Sequence, residues 1–284
     1  MSWTRLDDGA VAFGFVARRK WILPGSGAFF CLWGIESGVD DAISPIPLNL
    51  AELRAARAVL LVGGTFDPPH DGHVRVPQGL RAAVCPDGPC AAAAWLVYVP
   101  AARSPLKADG PSVPDADRLE MLRLALRGVP MARVWTDELD RAARSPGGPG
   151  QPSYTIETVR RARAWMVSQG AADVSLRLVI GEDQAAAFHR WREARELIEL
   201  APPLVMSRAG FGGRERVLRA QLESGFWTAA EMESWKERSI AIEGSGVEVS
   251  STAVRASLVR GEEPRHVDVE VLRYIRERGL YAAG

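Results

Sequence analysis

His70 and His73 stand three residues apart, behind two glycines at Gly63 and Gly64 and a turn at Asp67-Pro68-Pro69. Glycines let a backbone come close to a phosphate, and the Asp-Pro-Pro corner fixes a turn. Gly72-His73 then opens a segment whose N–H groups and dipole favour an anion. On a first helical turn the two imidazoles share a side and can both donate to phosphate oxygens. Taken singly, a His-x-x-His pair is also compatible with half a metal site or a turn cap. The element that must position them is the apolar run Ala58 to Val62, rich in branched residues and closed by the glycines, which has the pattern of a strand buried on both faces.

Other chemistry-bearing residues also follow apolar runs. Trp95 to Val99 reads as a second strand and leads through Pro100 and Arg103 to Lys107, where a lysine can meet phosphates as a point charge. Lys20, Lys107 and Lys236 are the only lysines. Leu176 to Ile180 is a further buried strand that runs into Gly181 and Asp183, a strand-then-carboxylate order found at ligand edges of parallel sheets. Asp183 could accept from a ribose or cap a helix. Leu204 to Met206 ends at Ser207-Arg208, placing a guanidinium at the carboxyl end of a strand. Ser250-Ser251-Thr252 with Arg255 reads as a helix start carrying hydroxyl donors and an arginine one turn on.

Between these stand the supporting helices. Asp117 to Leu126 has apolar residues at helical spacing and an acidic first turn. Val134 to Thr136 is expected as a short strand, Ser145 to Pro152 as a loop, and Ser153 or Thr155 as the N-cap of a helix over Ile156 to Met166. Pro77 and Gly79 predict a kink after His73, or a restart at Gln78. Gly210 to Gly246 is expected to hold helices over Arg214 to Leu222 and Ala229 to Arg238 and no second active site. Val247 and Val249 are read as the last strand, and Val267 to Leu280 as the closing helix. His189 and His266 are read as surface or packing residues.

Composition narrows the class. The chain has 284 residues, 47% of them hydrophobic, and its 35 Lys+Arg balance 35 Asp+Glu, so nothing favours nucleic acid or a membrane surface. Cys31, Cys85 and Cys90 are too few for a disulfide framework or a four-ligand zinc site, which fits a reducing cytoplasm. Cys85 and Cys90 flank Pro86-Asp87-Gly88-Pro89 as a pair, a metal half-site or two packed thiols. Arg18-Arg19-Lys20 ahead of Trp21 to Leu32 has a faint leader character, but Pro24, Gly25 and Gly27 interrupt the run and argue against export. Val11 to Val16 and Trp21 to Leu23 could pair as a hairpin, and Glu52 to Ala58 could be a short helix.

The order of glycines, Asp-Pro and histidines resembles the nucleotidylyltransferase signature Gly-Gly-x-Phe-Asp-Pro-x-His-x-Gly-His, and the chain looks most like the bacterial nicotinate-nucleotide adenylyltransferases. The likeness runs from Val59 to Tyr281, with departures: Leu106 stands where the family loop has His before its Lys, Pro77 falls inside the helix after the motif, Gly210 to Gly246 is longer than the family's usual connection, and residues 1–57 precede the first strand. What the resemblance implies is an α/β fold, a Rossmann-like doubly wound, mostly parallel sheet, in a domain over 58–284 from which residues 1–57 can be removed. It implies AMP transfer from ATP to nicotinate mononucleotide in NAD biosynthesis. ATP would contact Gly63, Gly64, Thr65, Phe66, His70, His73, Gly181, Asp183, Arg208, Ser251, Thr252 and Arg255. His70, His73, Lys107 and Arg255 would be the catalytic donors. Ser153, Tyr154, Thr155 and Trp191 would hold the mononucleotide. Magnesium would arrive with ATP, with no resident metal. The rival expectations are an adenylyltransferase for nicotinamide mononucleotide or pantetheine phosphate, and a non-catalytic nucleotide-binding protein.

Overall fold

The computed structural model describes residues 3–5, 11–13, 46–84, 93–103, 110–144, 153–207, 213–243 and 249–282. The chain divides into two compact units, Met1–Ala42 and Ile43–Gly284. In the first, β1 (Trp3–Arg5) pairs antiparallel with β2 (Val11–Phe13). Val11 thus pairs upstream, and Trp21 to Leu23, the expected hairpin partner, lies outside the described residues.

The second unit is built on six parallel strands in the order β5-β4-β3-β6-β7-β8. They are β3 (Ala58–Gly64), β4 (Ala94–Pro100), β5 (Ala132–Val134), β6 (Ser175–Gly181), β7 (Pro203–Ser207) and β8 (Ile240–Glu243). From β3 the chain moves out through β4 to β5, then returns to β6 on the other side of β3 and continues outward. The order reverses between β3 and β6, and a crevice outside the carboxyl ends of the strands at such a point is where open α/β sheets bind ligands.

Helices cover both faces, which makes the sheet doubly wound. Val59 and Leu61 of β3 and Val97 and Val99 of β4 face one core with α5 (Thr155–Ser168), α7 (Ala194–Leu200) and α9 (Ala229–Arg238). The alternate residues Leu60, Val62, Leu96 and Tyr98 face the other, with Leu80 of α2 (Asp71–Leu80) and Leu122 of α3 (Asp115–Ala125). This period of two, with both phases apolar, is why the central strands read as continuous hydrophobic runs. A smaller cluster joins Met121 to Val271 and Ile275 of α11 (Val269–Arg278).

Several expectations change. β3 runs through both glycines, which pair with Val99 and Pro100. α2 is unbroken: Pro77 lies inside it, buried with Val74 and Leu80, and a 3₁₀ turn at Arg81–Val84 follows. An interior proline costs a helix about 3 kcal/mol, and here its ring serves the stripe that faces the core. β5 ends at Val134, because the hydroxyl of Thr136 donates to Asp140 at the start of α4 (Asp137–Arg144). The last strand is Ile240–Glu243, while Val249 is outside any strand. The α1 helix is Leu50–Ala55, closed by a capping box between Asn49 and Glu52.

The stretch 46–57, expected to belong to a removable extension, packs with the sheet: Ile46, Leu48, Leu53 and Ala56 are buried in the same core as Val59 and Leu61. A chain beginning at Ile43 is expected to keep a cooperative unfolding transition. One beginning at Ala58 loses three Leu- or Ile-sized buried side chains at about 1.5–3 kcal/mol each, on the order of the whole stability of a small domain. Equal denaturation midpoints for the two would refute this.

Candidate active site

β3 delivers the chain into a loop that bends at Phe66, whose φ of 50° lies in the left-handed region. The bend is held by burial: the Phe66 side chain is fully inside, tilted on Tyr98 at 5.9 Å and edge-on to His73 at 5.1 Å. His70 occupies the N-cap position of α2 without a side-chain cap bond. Its buried imidazole instead stacks on that of His73, centroids 3.8 Å apart and planes 25° from parallel. A Cβ on Gly72 would sit 3.1 Å from the His70 ring, so any larger residue here would press on this imidazole.

Three donors from elsewhere take the loop's carbonyls. Arg118 of α3, wholly buried, donates to the Thr65 oxygen at 2.6 Å. Arg255 of α10 (Ser251–Val259) donates to that of Asp67 at 2.7 Å, and the Ser251 hydroxyl to that of Pro68 at 2.9 Å. The Asp67 carboxylate is buried and accepts the Ser112 amide and the Tyr281 hydroxyl, each at 2.6 Å. Burial, and then the bond to Asp67, pushes the Tyr281 hydroxyl well above the usual phenol range. Ser250, as expected, caps α10 through the Ala253 amide. Thr252 is exposed, 3.4 Å from the Arg255 guanidinium. His266, read as a surface or packing residue, lies against this same turn, its ring 3.3 Å from Asp71.

The second group of expected site residues gathers at the neighbouring strand ends. Ser153 is buried, and its amide donates at 3.2 Å to the Arg103 oxygen just after β4. That bond ties the start of α5 to the end of the sheet. The Ser153 hydroxyl donates to Glu138, so neither it nor Thr155 caps α5; Tyr154 holds the N-cap position and supplies no side-chain cap bond. Tyr154 and Trp191 are half-buried against the large core, Trp191 stacked on Phe188 at 5.2 Å. On the other side of β3, Gly181 ends β6 and is itself the N-cap residue of α6 (Glu182–Ala186). Asp183 is therefore not the cap; its exposed carboxylate lies 3.1 Å from Arg216 of α8 (Gly213–Glu223).

The described residues thus join Gly63, Gly64, Thr65, Phe66, His70 and His73 to Ser251, Thr252 and Arg255, with Gly181 and Asp183 on the adjacent strand end. Lys107, Leu106, Arg208, Val247, the three cysteines and the Ser145 to Pro152 loop lie outside the described residues. Arg118, Tyr281 and Glu138 were not singled out in the sequence. Arg118 had a legible signal, since it falls in helical register with buried Met121 and Leu122. Tyr281 was marked only as the end of the likeness, without a role, and Glu138 had no signal, because its partner is distant in the chain. Among the described residues no group of three or more His, Cys, Asp or Glu side chains could hold a metal ion, and no helix is long and apolar enough to cross a membrane. The donors at the loop are imidazoles, hydroxyls and guanidinium groups, a set suited to phosphate oxygens.

The model of the cytidylyltransferase-like family matches residues 61–257. The chain is 34% identical over 223 residues to a probable nicotinate-nucleotide adenylyltransferase of Roseiflexus sp. (strain RS-1), covering 78% of this chain and 96% of that protein. It is 33% identical over 230 residues to a protein of the same description from Laribacter hongkongensis, covering 79% and 94%. Its fold is similar to the Plasmodium falciparum nicotinic acid mononucleotide adenylyltransferase complexed with NaAD, with a TM-score of 0.53 over 79% of this chain and 97% of that one, at 12% identity.

Burial pushes the Glu138 carboxyl above the usual carboxylate range, against the pull of the Ser153 hydroxyl and the Arg141 charge. The folded state therefore holds this proton more tightly than the unfolded state. The stability it contributes is full below the unfolded value of 4.5 and is lost as pH rises through the folded one. Glu138→Gln can still accept from Ser153 and never ionises. It is expected to melt above the parent chain at neutral pH, with the gap closing as the medium is acidified; a gap independent of pH would contradict the assignment.

Proposed function

The chain belongs to the cytidylyltransferase-like family, within it to the nicotinate-nucleotide adenylyltransferases, and on that premise we propose that it transfers AMP from ATP to nicotinate mononucleotide. A phosphate oxygen of the mononucleotide attacks the α-phosphorus of ATP and forms the new P–O–P bond. The bond from the α-phosphorus to the bridging oxygen breaks, and pyrophosphate leaves with the electron pair. The product is nicotinate adenine dinucleotide, a precursor of NAD. The observation that carries this reading is the stacked His70–His73 pair at the start of α2, behind a loop whose carbonyls are held by Arg118, Ser251 and Arg255.

Transfer of this kind is mainly positioning and charge neutralisation, with no covalent enzyme intermediate. His70 and His73 donate to the phosphate oxygens of ATP. Arg255, 30% exposed and resting on the Asp67 carbonyl, reaches the same phosphates when they are present, and Thr252 donates beside it. Gly63 and Gly64 let the nucleotide approach the end of β3. Lys107 and Arg208 supply further positive charge, and Gly181 and Asp183 meet the ribose. Ser153, Tyr154, Thr155 and Trp191 receive the mononucleotide. Magnesium comes with ATP and offsets charge on its phosphates; the donor set of this site fits phosphate oxygens rather than a resident ion. The reaction belongs to the cytoplasm, which the sparse cysteines support.

Nicotinate is favoured over nicotinamide because no acidic residue stands between Ser153 and Ile156 to accept from an amide. Glu157, inside the first turn of α5, already engages Arg141 and lies 3.8 Å from Arg192. An amide turned toward donors leaves them unsatisfied at about 1–3 kcal/mol each.

The deciding experiment mixes the purified chain with ATP, magnesium and each mononucleotide and follows pyrophosphate release. Release is expected with nicotinate mononucleotide, with kcat/KM about 100-fold above that for the amide. No release with any mononucleotide would overturn the reading. His73→Ala is expected to lower kcat about 100- to 1000-fold, as loss of one preorganised donor to a developing oxyanion does. Turnover within about threefold of the parent would remove His73 from that role.

A further inference from the structure

The mononucleotide end carries an arginine that neither the motif nor the family description assigns. Arg192 follows Trp191 directly, and its guanidinium carbon lies 4.7 Å from the centre of the Tyr154 ring. The ring is a fixed platform, half-buried against the core. The two residues come from different elements, and Arg160 of α5 donates to Glu196 of α7 at 2.7 Å, which holds those elements together next to the stack.

A guanidinium laid over an aromatic ring keeps its in-plane N–H edge available, and that edge matches a carboxylate in a two-pronged hydrogen bond. What now faces Arg192 is weakly bound. Glu157 Oε1 is 3.8 Å from Nη1, too long for a hydrogen bond, and both side chains are exposed, at 55% for the arginine and 40% for the glutamate. Such surface pairs are worth little. The other oxygen of Glu157 is committed to Arg141, whose guanidinium also bonds Asp137 and Thr158. Arg161 lies 3.8 Å from the same Asp137, so the two arginines balance Asp137 and Glu157 and leave the Arg192 charge to the space beside Tyr154.

We propose that Arg192 determines specificity by receiving the carboxylate of the nicotinate ring, with the Tyr154 ring beneath the guanidinium carbon. The inference rests on the adenylyltransfer reading and adds to it the side chain that tells acid from amide.

The test compares kcat/KM for nicotinate and nicotinamide mononucleotides in the parent, Arg192→Ala and Arg192→Lys chains, at saturating ATP and magnesium. Arg192→Ala is expected to lower the value for the acid about 10- to 100-fold more than that for the amide, mainly through KM, as loss of a charge-assisted pair does. Arg192→Lys keeps a point charge without the fork and should fall between. An equal change for both mononucleotides, or an unchanged preference in Arg192→Ala, would overturn the proposal. A parent chain that turns over neither mononucleotide would instead overturn the adenylyltransfer reading, and this proposal with it.

Discussion

The hold on the carbonyls from Thr65 to Pro68 is the constraint on which the site depends. A loop bent through a left-handed Phe66 has backbone oxygens that no strand or helix can satisfy, and a buried unsatisfied carbonyl costs about 1–3 kcal/mol. Arg118, Arg255 and Ser251 answer three of them from two helices that are far apart in the chain. The Gly64 oxygen is taken in turn by the Ala101 amide, just past β4. Each bond therefore does two things: it satisfies the loop and it fixes where α3, α10 and the end of β4 stand around His70 and His73.

Asp67 extends the same logic to the end of the chain. A carboxylate this deep is tolerated only when its oxygens are met by donors. Ser112 and Tyr281 meet one oxygen each, with Arg255 4.0 Å away. Tyr281 reaches it because α11 stops at Gly279, in the left-handed region at φ 63°, and the chain turns again at Tyr281 itself, φ 59°. Met121, Val271 and Ile275 beneath this turn give the closing helix its place on α3. The match between the signature at one end of the domain and the Leu-Tyr close at the other thus has a physical content, a hydrogen bond of 2.6 Å across the fold.

How much of this was legible in the sequence follows from how local each cause is. β3, β4 and β6 could be read because burial on both faces makes them unbroken apolar runs. The histidine pair could be read because its parts are adjacent in sequence. The edge strands were displaced because they are short, and β5 is half-covered as well: it has only three residues, none of them fully buried, and Thr136, a good strand residue, is drawn into the start of α4. The cap of α5 was misplaced because Ser153 has a stronger claim elsewhere, on buried Glu138. The Arg192–Tyr154 stack joins residues that only the crossover from β6 to β7 brings together, so no spacing rule could have announced it.

The connection from β7 to β8 shows the same dependence of a site edge on distant partners. α6 has five residues, too few to stand as an isolated helix, yet it begins at Gly181 and carries Asp183. Gln221 of α8 is fully buried and gives its amide to the oxygens of Ala185 and Ala186, the orphan acceptors at the end of α6. Trp227 donates to the Gln221 oxygen at 2.7 Å, so the buried amide is satisfied on both sides. At the other end of α6, Arg216 sets one guanidinium nitrogen 3.1 Å from both Glu182 and Asp183. α8 therefore braces the strand end at Gly181 and Asp183 through contacts at both ends of α6.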